Sequence, residues 1–229
     1  MNIIVNGGTR GIGIEVVRIL AGDFNNNLIV TGRNETILKS LENKYNNVRA
    51  IAIDLSDIDS QSEMFSKSVY AHFDRIDILI NMAGLLINKD FDNFSNKEAR
   101  AIFETNFIGP AAIIRLLRPL MVKGSHIVNI SSMGGFQGSS KYRGLSYYSA
   151  SKAAIACLTE CLAEEFRESG ISVNCLAIGA VQTEMVEEAF PGYKAPVEAG
   201  EMAEYVVGFA LKGNKYFNGK IIPVAVTNP

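Results

Sequence analysis

The 229-residue chain has little that would direct it to nucleic acid or to a membrane. Its formal net charge is -2 and its basic residues are scattered, so no overall field favours an anionic partner such as nucleic acid or a lipid surface. No apolar run approaches the roughly 18 residues of a membrane span, and Met1 is not followed by a basic segment and a cleavage site. We therefore expect a cytoplasmic protein with neither a nucleic-acid nor a membrane partner.

Cysteine is scarce as well. The three cysteines are Cys157, Cys161 and Cys175, an odd number without a paired metal-ligand spacing. Cys157 and Cys161 stand one helical turn apart, which also suits a helix face packed in a core. We predict buried free thiols and no metal site.

Apolar residues, in contrast, make up 48% of the chain, enough for one sizeable core, and nothing marks a second domain. Short β-rich runs alternate with longer amphipathic stretches, a pattern typical of a parallel sheet covered by helices on both faces. We predict a doubly wound α/β Rossmann fold, a single domain over residues 1–229, with seven parallel strands in the order 3-2-1-4-5-6-7. The predicted strands are NIIVN, LIVTG, VRAIAIDL, IDILINMAG, HIVNISS, ISVNCLAI and KIIPVAV.

A glycine cluster follows the first predicted strand, in IIVNGGTRGIGIEVVRIL. A strand, a glycine turn and a helix N-terminus together suit a pyrophosphate, because bare backbone lets the phosphate approach and unpaired N–H groups point at it. The spacing is G-x-x-x-G-x-G, from Gly7 through Gly11 to Gly13. A purely structural turn would need glycine too, so the loop alone indicates a dinucleotide site without establishing it.

The segment LSYYSASKAA places two tyrosines ahead of a lysine. In a helix Tyr148 and Lys152 share nearly the same face, whereas Tyr147 points about 140° away from Lys152. A fixed ammonium favours the phenolate and so would make Tyr148 a usable acid or base near neutral pH. The alternative is a surface Tyr/Lys pair without a chemical role.

These motifs and four others stand in the order and approximate spacing of the short-chain dehydrogenase/reductase family. The resemblance covers residues 2 to about 226, and the chain most resembles the 3-oxoacyl-[acyl-carrier-protein] reductase-like branch, whose motifs are shared by enzymes acting on many carbonyl compounds. It implies a reaction and leaves the substrate open. The motifs are Gly7-x-x-x-Gly11-Ile12-Gly13, Asp54-Leu55, Asn81-Met82-Ala83-Gly84, Asn106, Ser132 and Tyr148-x-x-x-Lys152.

The resemblance implies hydride transfer between a nicotinamide cofactor and a C=O or CH–OH group. By the same resemblance, Ser132 hydrogen-bonds the substrate oxygen and Tyr148 exchanges its proton. Lys152 would lower the pKa of Tyr148 and bind the nicotinamide ribose. Asn106 would stand where the helix is locally opened and water leads to the lysine. Tyr147 is expected to pack or to line the entrance.

A cofactor-binding set is implied as well. Asp54 could instead cap the helix that follows it. Ile178 replaces the proline that usually precedes Gly179 in the family, and this puts the assignments of Val181 and Thr183 in doubt. The set, apart from the arginines, consists of Gly7, Thr9, Gly11, Ile12, Gly13, Asp54, Leu55, Asn81, Ala83, Gly84, Tyr148, Lys152, Val181 and Thr183.

Two arginines predict the choice of cofactor. Users of NAD on this fold end the second strand with an acidic residue that binds the adenosine ribose. Here Gly32 stands at that position and Arg33 follows, while Arg10 lies in the glycine loop beside Thr9. Two guanidinium groups suit a dianionic 2′-phosphate, so we expect NADP(H). For either arginine the alternative is a solvated surface charge.

The remaining expectations concern the lid and the assembly. Residues 184–200 are few for a substrate lid, which suggests an open site or a bulky small-molecule or acyl-thioester carbonyl substrate. The resemblance implies a homo-oligomer, a dimer or tetramer, through helices spanning about 97–120 and 149–168. The C-terminus lacks the family's usual Asp-Gly-Gly. A non-catalytic dinucleotide sensor on the same fold is the alternative function.

Overall fold

The computed structural model describes residues 1–226 and contains the predicted seven-stranded sheet. All its strand pairs are parallel, in the order β3-β2-β1-β4-β5-β6-β9, which confirms the predicted arrangement. The strands of this sheet are β1 (Asn2–Asn6), β2 (Asn27–Gly32), β3 (Val48–Ala52), β4 (Ile76–Asn81), β5 (Met121–Ser132), β6 (Ser172–Ile178) and β9 (Ile221–Val224). The last predicted run, KIIPVAV, ends at Val226, and residues 227–229, which belong to the unusual C-terminus, lie outside the described residues.

Helices cover both faces of the sheet. On one face the core contains side chains of α1, α2 and α8; on the other it contains side chains of α3, α5 and α6. The central strand β1 is apolar on both faces because it lies between these two cores. The helices are α1 (Gly11–Ala21), α2 (Glu35–Lys44), α3 (Ile58–Tyr70), α4 (Asn96–Phe103), α5 (Gly109–Leu117), α6 (Ser146–Glu165), α7 (Glu184–Ala189) and α8 (Ala199–Lys212).

Local sequence explains several helix starts. Asn34 caps α2 by accepting a 3.0 Å hydrogen bond from the backbone N–H of Ile37. Ser95 and Glu98 form a capping box at the start of α4. The helix α1 is different, since its N-cap residue Arg10 makes no side-chain capping bond. The first N–H groups of α1 are therefore not capped by that side chain.

The segment after β6 contains two short strands that the sequence pattern did not predict. β7 (Val181–Gln182) and β8 (Val197–Glu198) pair in parallel and enclose α7 between them. Each strand has two residues, too few for any alternation of apolar and polar side chains to show. This segment contains most of the predicted lid.

The prediction of buried thiols is wrong for two cysteines. Cys157 and Cys161 are exposed, and only Cys175 is buried. The inner face of α6 is instead formed by residues that include Lys152, Ile155 and Thr159, which leaves the two thiols on the outer face. Their one-turn spacing placed both on one face, but it could not say which face.

Candidate active site

A cleft at the carboxyl ends of the strands brings together nearly all the predicted site residues. It is bordered by the glycine loop, the ends of β2, β4 and β5, the start of α6 and the segment after β6. Asn81 and Asn106 are the two predicted residues that do not line it. The predicted residues that do are Gly7, Thr9, Arg10, Gly11, Ile12, Gly13, Arg33, Asp54, Leu55, Ala83, Gly84, Ser132, Tyr148, Lys152, Val181 and Thr183.

The glycine loop is closed so tightly that side chains do not fit. Gly7 has φ of +93°, and a Cβ there would lie 2.5 Å from the backbone nitrogen of Ala83. A Cβ on Gly13 would lie 2.1 Å from the carbonyl oxygen of Gly7. The loop thus needs bare backbone at both positions, and the N-terminus of α1 opens into the cleft beside it. This geometry suits a pyrophosphate, which helix N–H groups and the helix dipole stabilise.

Gly32, the last residue of β2, leaves no space for an acidic side chain unless Thr9 moves. A Cβ on Gly32 would lie 2.6 Å from Cγ2 of Thr9 and 2.9 Å from its Oγ1. A carboxylate side chain at position 32 would therefore displace Thr9. Arg33 is exposed and forms no ion pair with any residue of the described range 1–226. Arg10 is engaged differently, because its Nη1 lies 3.4 Å from Oε1 of Glu188 in α7.

Asp54 has a capping role and also lies at the cleft. Its carboxylate accepts hydrogen bonds from the backbone N–H of Ser56 at 3.0 Å and from the hydroxyl of Ser56 at 2.8 Å, and so caps the 3-10 turn of residues 55–57. Asp54 and Leu55 also line the cleft. The capping bond thus holds Asp54 and Leu55 in position at the side of the cleft.

Asn81 lies beneath the cleft in a buried chain of amides that sequence reasoning missed. Thr31 donates to Asn6 (2.9 Å), Asn6 to Asn81 (3.1 Å), Asn81 to Asn129 (2.8 Å) and Asn129 to Thr159 (2.9 Å). The chain crosses β2, β1, β4 and β5 and ends in α6. An asparagine at or near the end of three strand runs was the signal that could have found it. Asn81 thus contacts other amides and does not line the cleft.

Asn106 lies in a π-helical turn, residues 104–108, between α4 and α5. Its side chain pairs with both backbone groups of Leu85, accepting from N–H at 2.7 Å and donating to the carbonyl at 2.9 Å. A Cβ on Gly84 would lie 3.4 Å from Nζ of Lys152 and 3.7 Å from Oδ1 of Asn106, so both polar ends converge on Gly84. The local opening of the helix that the resemblance implied is therefore present.

Ser132 and Tyr148 face each other at the end of β5 and the start of α6. Both residues line the cleft, and the Ser132 Oγ accepts from the backbone N–H of Gly134 at 3.1 Å. Ser131, its neighbour, points the other way and donates to the carbonyl of Lys152 at 2.6 Å. Ser132 is thus the serine that faces the cleft with Tyr148.

Lys152 is buried behind them. Its Nζ donates to the carbonyl of Ile130 at 2.9 Å and lies 6.0 Å from the centre of the Tyr148 ring. Burial lowers the pKa of Lys152 to about 8, and nearby Cys175 opposes that shift. Such a lysine is an ammonium for most of the time at neutral pH.

The pKa of Tyr148 is shifted in the direction opposite to the one expected. Burial raises the pKa of Tyr148, and the hydroxyl of Ser132 only partly offsets this. The ammonium of Lys152 donates to the carbonyl of Ile130, and loss of hydration decides the direction of the Tyr148 shift. Tyr148 therefore carries its proton at neutral pH.

The other two tyrosines near the cleft have separate surroundings. Tyr147 stacks on Phe91 at 5.6 Å and contacts Phe94 edge-on at 4.9 Å, in line with the expected packing role. Tyr142 is exposed, and its pKa is raised by slight burial and then by Tyr193 of the predicted lid.

The segment that follows Ile178, the residue in place of the usual proline, begins at the end of a paired strand. Ile178 is the last residue of β6, in register with Ser132 and Val224, and the N–H of Gly179 donates to Val224 at 2.9 Å. Val181 is buried in β7, and Thr183 caps α7 through a 3.4 Å hydrogen bond from Val186. Both Val181 and Thr183 line the cleft.

No helix within residues 1–226 has the length and apolar character needed to cross a bilayer. Comparisons with known proteins bear on the family and the fold. Residues 1–194 match the short chain dehydrogenase family. An uncharacterized oxidoreductase of Staphylococcus epidermidis is 28% identical over 218 residues, which cover 94% of this chain and 92% of that protein.

Two solved structures have similar folds. A dehydrogenase/reductase from Sinorhizobium meliloti superposes with a TM-score of 0.82 at 26% identity, covering 97% of this chain and 92% of that one. A short chain dehydrogenase from Burkholderia cenocepacia, solved in complex with NADP, has a TM-score of 0.82 at 24% identity, covering 97% of this chain and 95% of that one.

Proposed function

The chain belongs to the short-chain dehydrogenase family of oxidoreductases, and from that premise we propose that it is an NADPH-dependent carbonyl reductase with Tyr148 as proton donor. The observation that carries the proposal is the meeting of Ser132, Tyr148 and Lys152 in the same cleft as the glycine loop. Binding surface for a dinucleotide and a proton donor thus lie at one edge of the sheet.

The residues of the cleft fit a dinucleotide. Gly7 and Gly13 leave room that any side chain would fill, and the N-terminus of α1 opens beside them for the pyrophosphate. Asp54, Leu55, Val181 and Thr183 also line the cleft. We propose that the first two contact the adenine and that the last two hold the nicotinamide end. When bound, the reduced nicotinamide would supply the hydride.

The choice of NADPH over NADH rests on the end of β2. Thr9 fills the space that an acidic side chain at position 32 would need, so no carboxylate is available there for the adenosine ribose. Arg33 is exposed at the same cleft with no ion-pair partner among residues 1–226, and Arg10 stands across from it in the glycine loop. Two guanidinium groups match the charge and geometry of a phosphate dianion.

In reduction, negative charge develops on the carbonyl oxygen, which would accept hydrogen bonds from Ser132 and Tyr148. Burial raises the pKa of Tyr148, so its proton is present at neutral pH and can be delivered to that oxygen. In the reverse direction the same residue would act as base. Ser132 holds the oxygen and keeps its contact with Gly134.

Lys152 is proposed to hold the nicotinamide ribose and to stabilise the phenolate that remains after the proton has left. Its side chain is only 4% exposed, so its charge is felt at short range with little screening by water. The convergence of Lys152 and Asn106 on Gly84 supports a path by which a water molecule returns the proton.

The substrate is proposed to be a ketone, free or as an acyl thioester. Residues 184–200, with α7 and β8, are proposed to cover it as a lid of the single domain. The proposed reductase activity is tested by measuring NADPH oxidation with a panel of ketones and 3-oxoacyl thioesters. At least one compound should accelerate the oxidation. If none does while the cofactor binds, the non-catalytic sensor becomes the better account.

The cofactor choice is tested by titration of both cofactors, followed by fluorescence or calorimetry. A charged contact to phosphate contributes about 1.5 to 3 kcal/mol, so NADPH should bind more than about tenfold tighter than NADH. Arg33→Ala should remove most of this difference and leave NADH binding nearly unchanged. Equal affinities in the unmodified protein would refute the arginine argument.

We also propose that the protein self-associates as a dimer or tetramer through α4, α5 and α6. The outer face of α6 supports this, because its exposed residues include small or apolar side chains, among them Ala150, Ala153, Cys157 and Cys161. A monomer in sedimentation at micromolar concentration would rule it out.

A further inference from the structure

Helix α7 presses against the glycine loop, and it carries three acidic residues, Glu184, Glu187 and Glu188. A Cβ on Gly11 would lie 3.3 Å from Cγ2 of Thr183 and 3.7 Å from Oε2 of Glu184. One turn further on, Oε1 of Glu188 lies 3.4 Å from Nη1 of Arg10. A helix distant in sequence thus brings negative charge to the loop that should receive phosphate.

The ion pair makes the two cofactor arginines unequal. Arg33 forms no ion pair in the described part of the chain, whereas Arg10 already has Glu188 as a counter-ion. The two side chains of the pair are 40% and 67% exposed, so the contact is weak and can be exchanged. A phosphate dianion arriving at Arg10 would compete with the carboxylate for the same guanidinium.

From this contact we infer that Glu188 is a determinant of cofactor specificity, acting as a competing counter-ion for Arg10. A cofactor with a 2′-phosphate takes Arg10 away from Glu188, and a cofactor without it leaves the pair in place. The ion pair therefore reduces the preference for NADPH and links occupation of the phosphate site to release of α7. The inference rests on the proposed binding of the 2′-phosphate by Arg10.

Glu187 provides a matched control. It lies in the same helix and carries the same charge, but its Oε1 accepts a 2.8 Å hydrogen bond from Nε2 of Gln182. Glu187→Gln changes the net charge of α7 as Glu188→Gln does, without touching the ion pair of Arg10. Any general electrostatic effect of losing one carboxylate appears equally in both variants.

The experiment measures dissociation constants of NADPH and NADH at low salt for the unmodified protein, Glu188→Gln and Glu187→Gln. An exposed pair is worth up to about fivefold in affinity, so Glu188→Gln should bind NADPH about two- to fivefold tighter than Glu187→Gln does. Binding of NADH should be the same in both. The gain should shrink at about 1 M salt, where exposed charges are screened.

Repeating the comparison on an Arg10→Ala background completes a double-mutant cycle. The gain from Glu188→Gln should vanish there, because no guanidinium remains to be released. Equal NADPH affinities of Glu188→Gln and Glu187→Gln, or a gain that survives removal of Arg10, would overturn the inference. The proposed preference for NADPH would be refuted by a different result, namely that the unmodified protein binds NADH as tightly as NADPH.

Discussion

At the amino ends of the central strands, buried polar side chains are bonded within the fold, whereas at the carboxyl ends Ser132, Tyr148 and Lys152 line a cleft. Ser125 donates to the carbonyl of Ile76 at 2.6 Å, and the ring of His126 is held between Ala210 at 2.9 Å and Asn174 at 3.0 Å. Six residues along β5, about 20 Å away, Ser132 meets Tyr148 at the cleft.

Loss of hydration on burial shifts the pKa of a basic side chain at each end, with a different consequence at each. Burial lowers the pKa of His126 to about 4 and that of Lys152 to about 8. His126 is thereby kept as a neutral imidazole that donates from Nδ1 and accepts at Nε2, with both nitrogens used inside the fold. Lys152 retains its charge beside groups that can still exchange protons. Changes at the amino end should therefore alter stability, and changes at the carboxyl end should alter activity.

The largest effect is expected at the carboxyl end. Tyr148→Phe removes one oxygen and its proton, and should lower kcat by about 100-fold to 10,000-fold with little change in stability or NADPH affinity. Tyr147→Phe is the control, because that ring packs on Phe91 and Phe94, and its effect should be small. Steady-state kinetics and thermal unfolding measure both. If the two tyrosines exchanged effects, the assignment of the proton donor would be wrong.

At the amino end the expected effect is on the pH dependence of stability. Burial depresses the folded-state pKa of His126 from 6.5 to about 4, so below about pH 6.5 the unfolded chain binds a proton that the folded chain does not. The contribution is full above pH 6.5 and is lost as pH falls toward 4, by about 3 kcal/mol. Urea unfolding between pH 4 and 7 would show this loss.

A second histidine offers the control. His72 is exposed, so His72→Gln should keep the pH dependence, whereas His126→Gln should flatten it even if it destabilises at every pH. Activity per folded molecule should be unchanged in both variants. An equally steep profile in His126→Gln would show that this end of the sheet is not governed by its histidine.

Substitution in the glycine loop tests whether cofactor binding at the carboxyl end depends on close backbone contact. Gly13→Ala places a Cβ 2.1 Å from the carbonyl oxygen of Gly7, and the strain should weaken cofactor binding by about 10- to 100-fold. Gly208 in α8 has nothing within 4 Å of its notional Cβ, so Gly208→Ala should leave binding unchanged. Cofactor titration distinguishes the two. Normal binding by Gly13→Ala would contradict the proposed pyrophosphate site.

The smallest effect is expected from two exposed ion pairs. At the carboxyl end Arg143 binds both carboxylate oxygens of Asp90 at 2.7 Å and joins the loop before α6 to the segment after β4. At the amino end Arg75 lies 3.3 Å from Asp77. Arg143→Ala should lower kcat/KM about two- to threefold through a looser rim, and Arg75→Ala should not change it. If Arg143→Ala and Arg75→Ala changed kcat/KM equally, the claim that only the carboxyl end affects activity would be contradicted.

Sequence could predict those features that depend on near neighbours or on periodic patterns. The cleft contains Gly7, Gly13, Tyr148 and Lys152, which sequence could single out because each depends on neighbours within one turn or one loop. The strand order followed from the alternation of apolar runs and the handedness of parallel crossovers. These are local or periodic properties, which a single sequence displays.

What remained hidden depends on residues far apart in the chain. The contact of Arg10 with Glu188 joins positions 178 residues apart, and the bond of Asn81 to Asn129 joins positions 48 apart. The raised pKa of Tyr148 depends on burial, which no spacing reveals. The exposed thiols of Cys157 and Cys161 were mispredicted for the same reason, since only packing decides which face of α6 is covered.

Transfer of a deuterium label tests the central claim most directly. With NADPH deuterated at the transferred position of the nicotinamide and the best carbonyl compound of the panel, the product alcohol should carry deuterium on the former carbonyl carbon. Tyr148→Phe should form almost none of that product while still binding NADPH. Product without the label, or labelled product formed equally well by Tyr148→Phe, would contradict hydride transfer with Tyr148 as the proton donor.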